Sequence, residues 1–181
     1  MLSRGEDLDT TAAALCTTCG LCCQGLLHSN AVLRNAEVSG ARSRQLNVIQ
    51  NENGAFFKQP CPCLKGTECS IYESRFETCK GYQCKLLKSL LGGEITLDDS
   101  LAVVRNTKQI EADIRESVGN HSPTVSVWTA FEGFLKSEAE KGRGEDRRSR
   151  AELLMKVGLL GLMCNKYFGE KVHAAATDTL L

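Results

Sequence analysis

Apolar residues recur at helical spacing through the second half of the chain and lose that period in the first half. From Tyr82 onward Leu86, Leu87, Leu90 and Leu91 share one helical face, and Gly92-Gly93 stops the helix. Asp98 or Asp99 stands where it can cap a longer helix carrying Leu101, Val104, Ile110, Ile114 and Val118, ended near Gly119-Asn120. After Ser122-Pro123 the positions Val127, Trp128, Phe131, Phe134 and Leu135 form a helix-packing stripe. Lys141 to Arg150, charged and glycine-containing, reads as a solvated connector. A last helix is predicted over about Ala151 to Phe168, with Leu153, Leu154, Val157, Leu160, Leu162 and Met163 as its apolar residues, and the tail from Gly169 reads as frayed.

The first half is punctuated instead of periodic. Asp9 to Leu15 is Ala-rich and suits a short helix leading into Cys16. Cys16 to Gly25 shows neither strand alternation nor helical period, and Gly20 and Gly25 favour tight turns. Ala31 to Leu33 and Ala55 to Phe57 are short apolar runs read as strands, with Asn51 to Gly54 as a turn. Pro60 to Tyr72 is loop-like, with an extended piece at Ser70 to Tyr72.

Composition narrows the class. Lys+Arg and Asp+Glu each number 22, so the net charge is zero, which argues against nucleic acid or an anionic membrane as partner. No stretch approaches the roughly 20 apolar residues of a membrane span. The first residues lack the apolar core of a signal peptide, so the expected compartment is the reducing cytoplasm. There, ten cysteines point to metal ligation or redox chemistry more than to disulfides.

The cysteines are concentrated between Cys16 and Cys84, with Cys164 alone downstream. In Cys16-x2-Cys19-x2-Cys22-Cys23 the two-residue gaps let successive thiolates turn back onto one ion, the spacing of zinc knuckles and of the start of a ferredoxin-type ligand run. Cys23 directly follows Cys22 and either serves a second ion or packs as a small apolar group. Cys61-x-Cys63-x5-Cys69-x9-Cys79-x4-Cys84 contains no zinc-ribbon pair and gains meaning from the first cluster, because four-ligand sites are often assembled from two loops. A buried tetrathiolate site is anionic, and Lys58, Lys65, Arg75, Lys80, Lys85 and the Gly20 amide are the groups expected to offset that charge.

Cys16-Thr-Thr-Cys-Gly-Leu-Cys-Cys, Pro60-Cys-Pro-Cys-Leu, Cys69-Ser-Ile-Tyr72-Glu-Ser-Arg75 and Cys79-Lys-Gly-Tyr-Gln-Cys84 together resemble the YkgJ-type cysteine-cluster family, whose members are described as zinc- or iron-chelating proteins. The resemblance spans about residues 16 to 84. It implies that Cys16, Cys19, Cys22, Cys23, Cys61, Cys69, Cys79 and Cys84 are the metal ligands, with Tyr72 and Arg75 as framework. The chain departs from the family at Phe76, where Pro is usual, and at Cys63, where an apolar residue is usual. The cysteine motif is also similar to that of flagellin lysine N-methylases, which are linked with an iron–sulfur cluster.

Cys63 stands evenly between extra ligand and packing residue, Cys164 reads as a buried structural thiol, and His28, His121 and His173 read as surface or capping residues. No phosphate-binding glycine loop, nucleophile elbow or His-Glu-x-x-His pair is present. The expected fold is mostly α, with a loop-rich, metal-organised cysteine module over 1–91 and a helical region over 92–181 packing on it; a small α+β fold is the alternative. Leu101, Val104, Ile114, Trp128, Phe131, Leu154 and Leu160 are the expected core. The functional expectation is a protein holding a zinc or iron ion, or a [4Fe-4S] cluster, through cysteine thiolates. The alternatives are an iron–sulfur enzyme, methylase-like or redox, and a metal-stabilised adaptor whose C-terminal helices bind a protein partner.

Overall fold

A computed structural model describes residues 4–141 and 147–169. Most of them are helical. In chain order α1 spans Arg4–Cys19, α2 Val38–Ser43, α3 Glu77–Gly81, α4 Lys85–Leu91, α5 Leu97–Val118, α6 Val127–Lys141 and α7 Arg147–Met163, which continues as a π-turn over Cys164–Phe168. Five short strands complete the set: β1 Asn30–Leu33, β2 Val48–Asn51, β3 Gly54–Lys58, β4 Leu64–Lys65 and β5 Glu68–Cys69. The architecture is therefore mostly α with two small antiparallel sheets, one of order β1-β3-β2 and one a β4-β5 hairpin. His173 and the rest of the tail, together with residues 142–146 of the expected connector, lie outside the described residues.

α5 is the axis of the helical part, packing on α1, α4, α6 and α7. Its start differs from expectation. Thr96, not Asp98 or Asp99, is the N-cap: its hydroxyl accepts the Asp99 N–H at 3.1 Å and lies 2.6 Å from the Asp99 carboxylate. A hydroxyl at the cap position reaches forward to the third residue of the first turn, and Asp98 and Asp99 then favour the helix from inside that turn. Gly119, in the left-handed region at φ 64, closes the other end. Val104 and Ile114 meet Val127, Trp128 and Phe131 of α6 and Leu153, Val157 and Leu160 of α7 in the larger core. Leu101 and Leu154 border it instead of filling it. The buried hydroxyls of Ser100 and Thr107 donate to the carbonyls of Thr96 and Val103 one turn earlier. Met155, Leu159 and Leu162 of α7 face outward.

A largely buried ion pair pins the α5–α6 connection. Arg115 donates to the Glu111 carboxylate at 2.9 Å and to the carbonyls of Ser122 and Val125. Glu111→Ala leaves that guanidinium without its counter-charge, a loss of about 3–5 kcal/mol for a broken buried pair. The measurement is a urea midpoint against wild type, and an unchanged midpoint would show the pair to be screened.

The smaller core has its own apolar content. Ala55 and Phe57, alternate residues of β3, pack with Leu33, Val38, Ala41, Leu46, Cys63 and Phe76. Ala31 opposes Phe57 and Ile49 opposes Phe56 across the three-stranded sheet. Phe76 takes the position usual for Pro in the resembling family; its φ of −62° is one a Pro adopts, while its ring packs at a tilt against Phe57, centroids 5.6 Å apart. Among the described residues no helix is long and apolar enough to cross a membrane.

Candidate metal centre

The first thiols are placed by a helix end and a leucine-pinned turn. α1 carries Cys16 and Cys19 three residues apart, so both lie on one helical face. It ends at Gly20, whose φ is 65° and whose N–H donates to the Cys16 carbonyl at 3.2 Å. A Cβ at Gly20 would stand 3.1 Å from the Thr67 carbonyl oxygen, so the β4–β5 hairpin comes this close only over a glycine. The Gly20 amide thus closes the helix and does not face sulfur as expected; the Leu21 N–H is the one bonded to the Cys19 sulfur. Leu21, Leu26 and Leu27, all buried, hold the turn on which Cys22 and Cys23 sit. The Trp128 indole locks it from α6, donating to the Leu26 carbonyl at 2.9 Å.

The second group comes from four further pieces of chain. The Cys61 N–H donates to the Cys23 carbonyl at 2.8 Å, joining the two cysteine segments through the backbone. Cys69 lies on β5 opposite Leu64, Cys79 lies within α3, and Cys84 is the N-cap of α4, its sulfur accepting the Leu87 N–H at 3.4 Å. A sulfur at an N-cap replaces the usual cap oxygen and sits at the positive end of the helix. Seven of the eight expected ligands (Cys16, Cys19, Cys22, Cys23, Cys69, Cys79 and Cys84) line a single cavity of about 980 Å³. Cys61 adjoins it without lining it, and Cys63 is buried in the smaller core. None of the ten cysteines is in a disulfide.

Burial dominates the electrostatics. It pushes Cys19, Cys23 and Cys61 up to about 12 and Cys79 to about 11, with neighbouring thiols adding to the rise, and it raises Cys16 and Cys22 as well. Such thiols stay protonated near neutrality, so a metal must displace their protons, and affinity rises with pH. Two cations oppose the rise. Arg75 acts on Cys16, Cys23 and Cys79, and Lys108 acts on Cys19. Arg75 is fixed by its Nε bond to the Tyr72 carbonyl at 2.7 Å and by stacking 3.5 Å from the Tyr72 ring centroid. Lys108 reaches from α5 to the Thr18 carbonyl at 2.7 Å; no local pattern in the sequence marks it. Of the other expected cations, Lys80 lines the cavity and pairs with Glu77 at 3.6 Å.

Among the described residues no three His, Cys, Asp or Glu side chains are arranged to hold one ion as they stand. The donor set suits zinc or iron: soft, numerous and converging from separate segments, with backbone N–H groups already directed at Cys19, Cys61 and Cys84. His28, half-buried, lines the same cavity and meets the Tyr82 ring edge-on at 4.6 Å, where a surface or capping role was expected. His121 is exposed beside Glu116.

Cys164 is apart from this group, fully buried in the larger core. Burial raises it from 9.0 to about 12. Because the folded thiol holds its proton to higher pH than the unfolded one, its contribution is complete below pH 9 and declines from there toward about 12. Cys164→Ala should retain the full metal content and flatten the alkaline fall of Tm; loss of one metal equivalent would make Cys164 a ligand.

A small mostly α protein with a cavity lined by free cysteines from several chain segments is the setting of a thiolate metal-binding domain. Residues 15–110 match the CxxCxxCC family, described as a "Putative zinc- or iron-chelating domain", and the chain belongs to that family. No curated protein and no solved structure matches it.

Proposed function

We propose that this protein holds zinc or iron through Cys16, Cys19, Cys22, Cys23, Cys61, Cys69, Cys79 and Cys84. The observation that carries this is the shared cavity: seven free thiols, from α1, the following turn, β5, α3 and the start of α4, line one space. Their burial disfavours the bare thiolate, so metal is the species that stabilises the ionised sulfur there. Arg75 and Lys108 offset part of the negative charge of the loaded site. Free thiols in this number favour a reducing compartment such as the cytoplasm. A metal held by sulfur alone has no open coordination position, which favours structural, carrier or electron-transfer roles over Lewis-acid catalysis. Elemental and acid-labile sulfide analysis of anaerobically isolated full-length protein tests the proposal. Stoichiometric zinc, or iron without sulfide, supports ion binding, and about four iron with about four sulfide per chain supports a [4Fe-4S] cluster and with it the iron–sulfur enzyme reading. A folded protein that takes up neither metal after reconstitution sinks the proposal.

A further inference from the structure

Six of the eight thiols divide between two packing environments. Cys19 lies in the larger core, and Cys16, Cys22 and Cys84 pack against it. Cys61 and Cys79 pack against the smaller core, with Cys63 inside it. The division follows the local geometry. Cys16 and Cys19 share the face of α1's last turn, and α4, which Cys84 caps, packs on α1. On the other side Cys23 is bonded through its carbonyl to the Cys61 N–H, and Cys69 is brought over that segment by its pairing with Leu64, whose own N–H donates to the Cys61 carbonyl.

The junction between the two groups is the Cys22–Cys23 peptide. The turn there is helix-like, with the Gln24 N–H donating to the Gly20 carbonyl at 3.0 Å. Consecutive side chains on such a turn diverge by roughly 100°, so one mononuclear ion cannot take both sulfurs without unwinding it.

We propose that the chain builds two separate tetrathiolate centres, one from Cys16, Cys19, Cys22 and Cys84 and one from Cys23, Cys61, Cys69 and Cys79, joined back to back at the Cys22–Cys23 peptide. This rests on the metal-binding reading above and adds to it the assignment of each ligand to a centre. Each centre with a divalent ion forms as four thiols give up four protons, leaving a net charge of −2 apiece. Arg75, held in place by Tyr72, stands where it serves both centres, and Cys63 is left as a packing residue.

The test is cadmium NMR on the full chain reconstituted with isotopically enriched Cd²⁺, with bound cadmium counted by elemental analysis. The expected spectrum has two signals of equal intensity in the sulfur-only region, without mutual splitting. Cys22→Ser should remove one signal and keep the other, and Cys69→Ser should do the reverse. A single signal, a pair split by cadmium–cadmium coupling (bridging thiolates in one cluster), or loss of both signals from a variant that remains folded by circular dichroism would overturn the assignment while leaving metal binding intact. The wild-type spectrum decides between one centre and two even where a variant does not fold. Absence of any bound cadmium would overturn the metal-binding reading itself.

Discussion

Cys19→Ser is expected to empty the centre to which Cys19 belongs and to lower the Tm of the full chain by far more than its change in volume explains. Serine keeps the shape of cysteine at this buried position but offers a hard, protonated oxygen where a soft thiolate is needed. A structural zinc supplies on the order of 10 kcal/mol in small peptides. Here the neighbouring leucines and the larger core supply part of the stability, so a loss of several kcal/mol is expected. The metal-to-protein ratio and the Tm with and without a chelator separate the causes. If the deficit persists in chelated protein, it belongs to packing, and a wild-type metal ratio removes Cys19 from the ligand set.

Phe131→Ala should cost about 3–5 kcal/mol, the range for deleting a buried phenyl ring. Phe131 is completely buried in the larger core, in the same cluster as residues of α5, α7 and the leucine-pinned turn. The denaturant midpoint should fall with an unchanged slope, and the metal content of the folded fraction should stay at the wild-type value. A cost below about 1 kcal/mol would show that neighbouring side chains collapse into the space, against the close packing of protein interiors. Cys19→Ser and Phe131→Ala thus probe different sources of stability in one molecule, inorganic coordination and apolar burial.

The long helices were readable because period and burial coincide in them. Val104, Ile114, Trp128, Phe131 and Leu160 all occupy the core expected from their spacing. Leu101 and Leu154, expected in the core, border it instead, and Leu162 continues an apolar run but faces outward on α7. β1 and β3 showed as short apolar runs, whereas β2 offers only Val48 and Ile49 and is fixed by its pairing with β3. α2 contains Gly40 and gave no helical signal; it is held by burial of Val38 and Ala41. Ser70 to Tyr72 is a turn following β5, not a strand, because the hairpin pairs Leu64 and Lys65 with Glu68 and Cys69. The cysteine segment also holds more apolar structure than its loops suggested, since Phe57 and Phe76 are far apart in sequence and form a core only when β3 and α3 meet.

The candidate site was legible in its cysteines and illegible in their surroundings. Cysteine spacing is a local property, and the pattern from Cys16 to Cys84 marks the thiols without reference to the fold. Lys108 contributes through a contact to a carbonyl 90 residues earlier, so only the packing of α5 on α1 reveals it. The same holds for the amides of Leu21 and Leu87, which serve sulfur because of where helices stop and start. Arg75 was visible as a charge, but its placement between the thiols depends on the Tyr72 carbonyl and ring.

The chain contains one tryptophan, and its indole N–H is bonded to the backbone of the segment that bears Cys22 and Cys23. Its intrinsic emission is therefore an optical gauge of that segment. Any tightening or release of the Leu26 carbonyl alters the polarity felt by the indole, so uptake and removal of an ion become visible in a fluorimeter without a label.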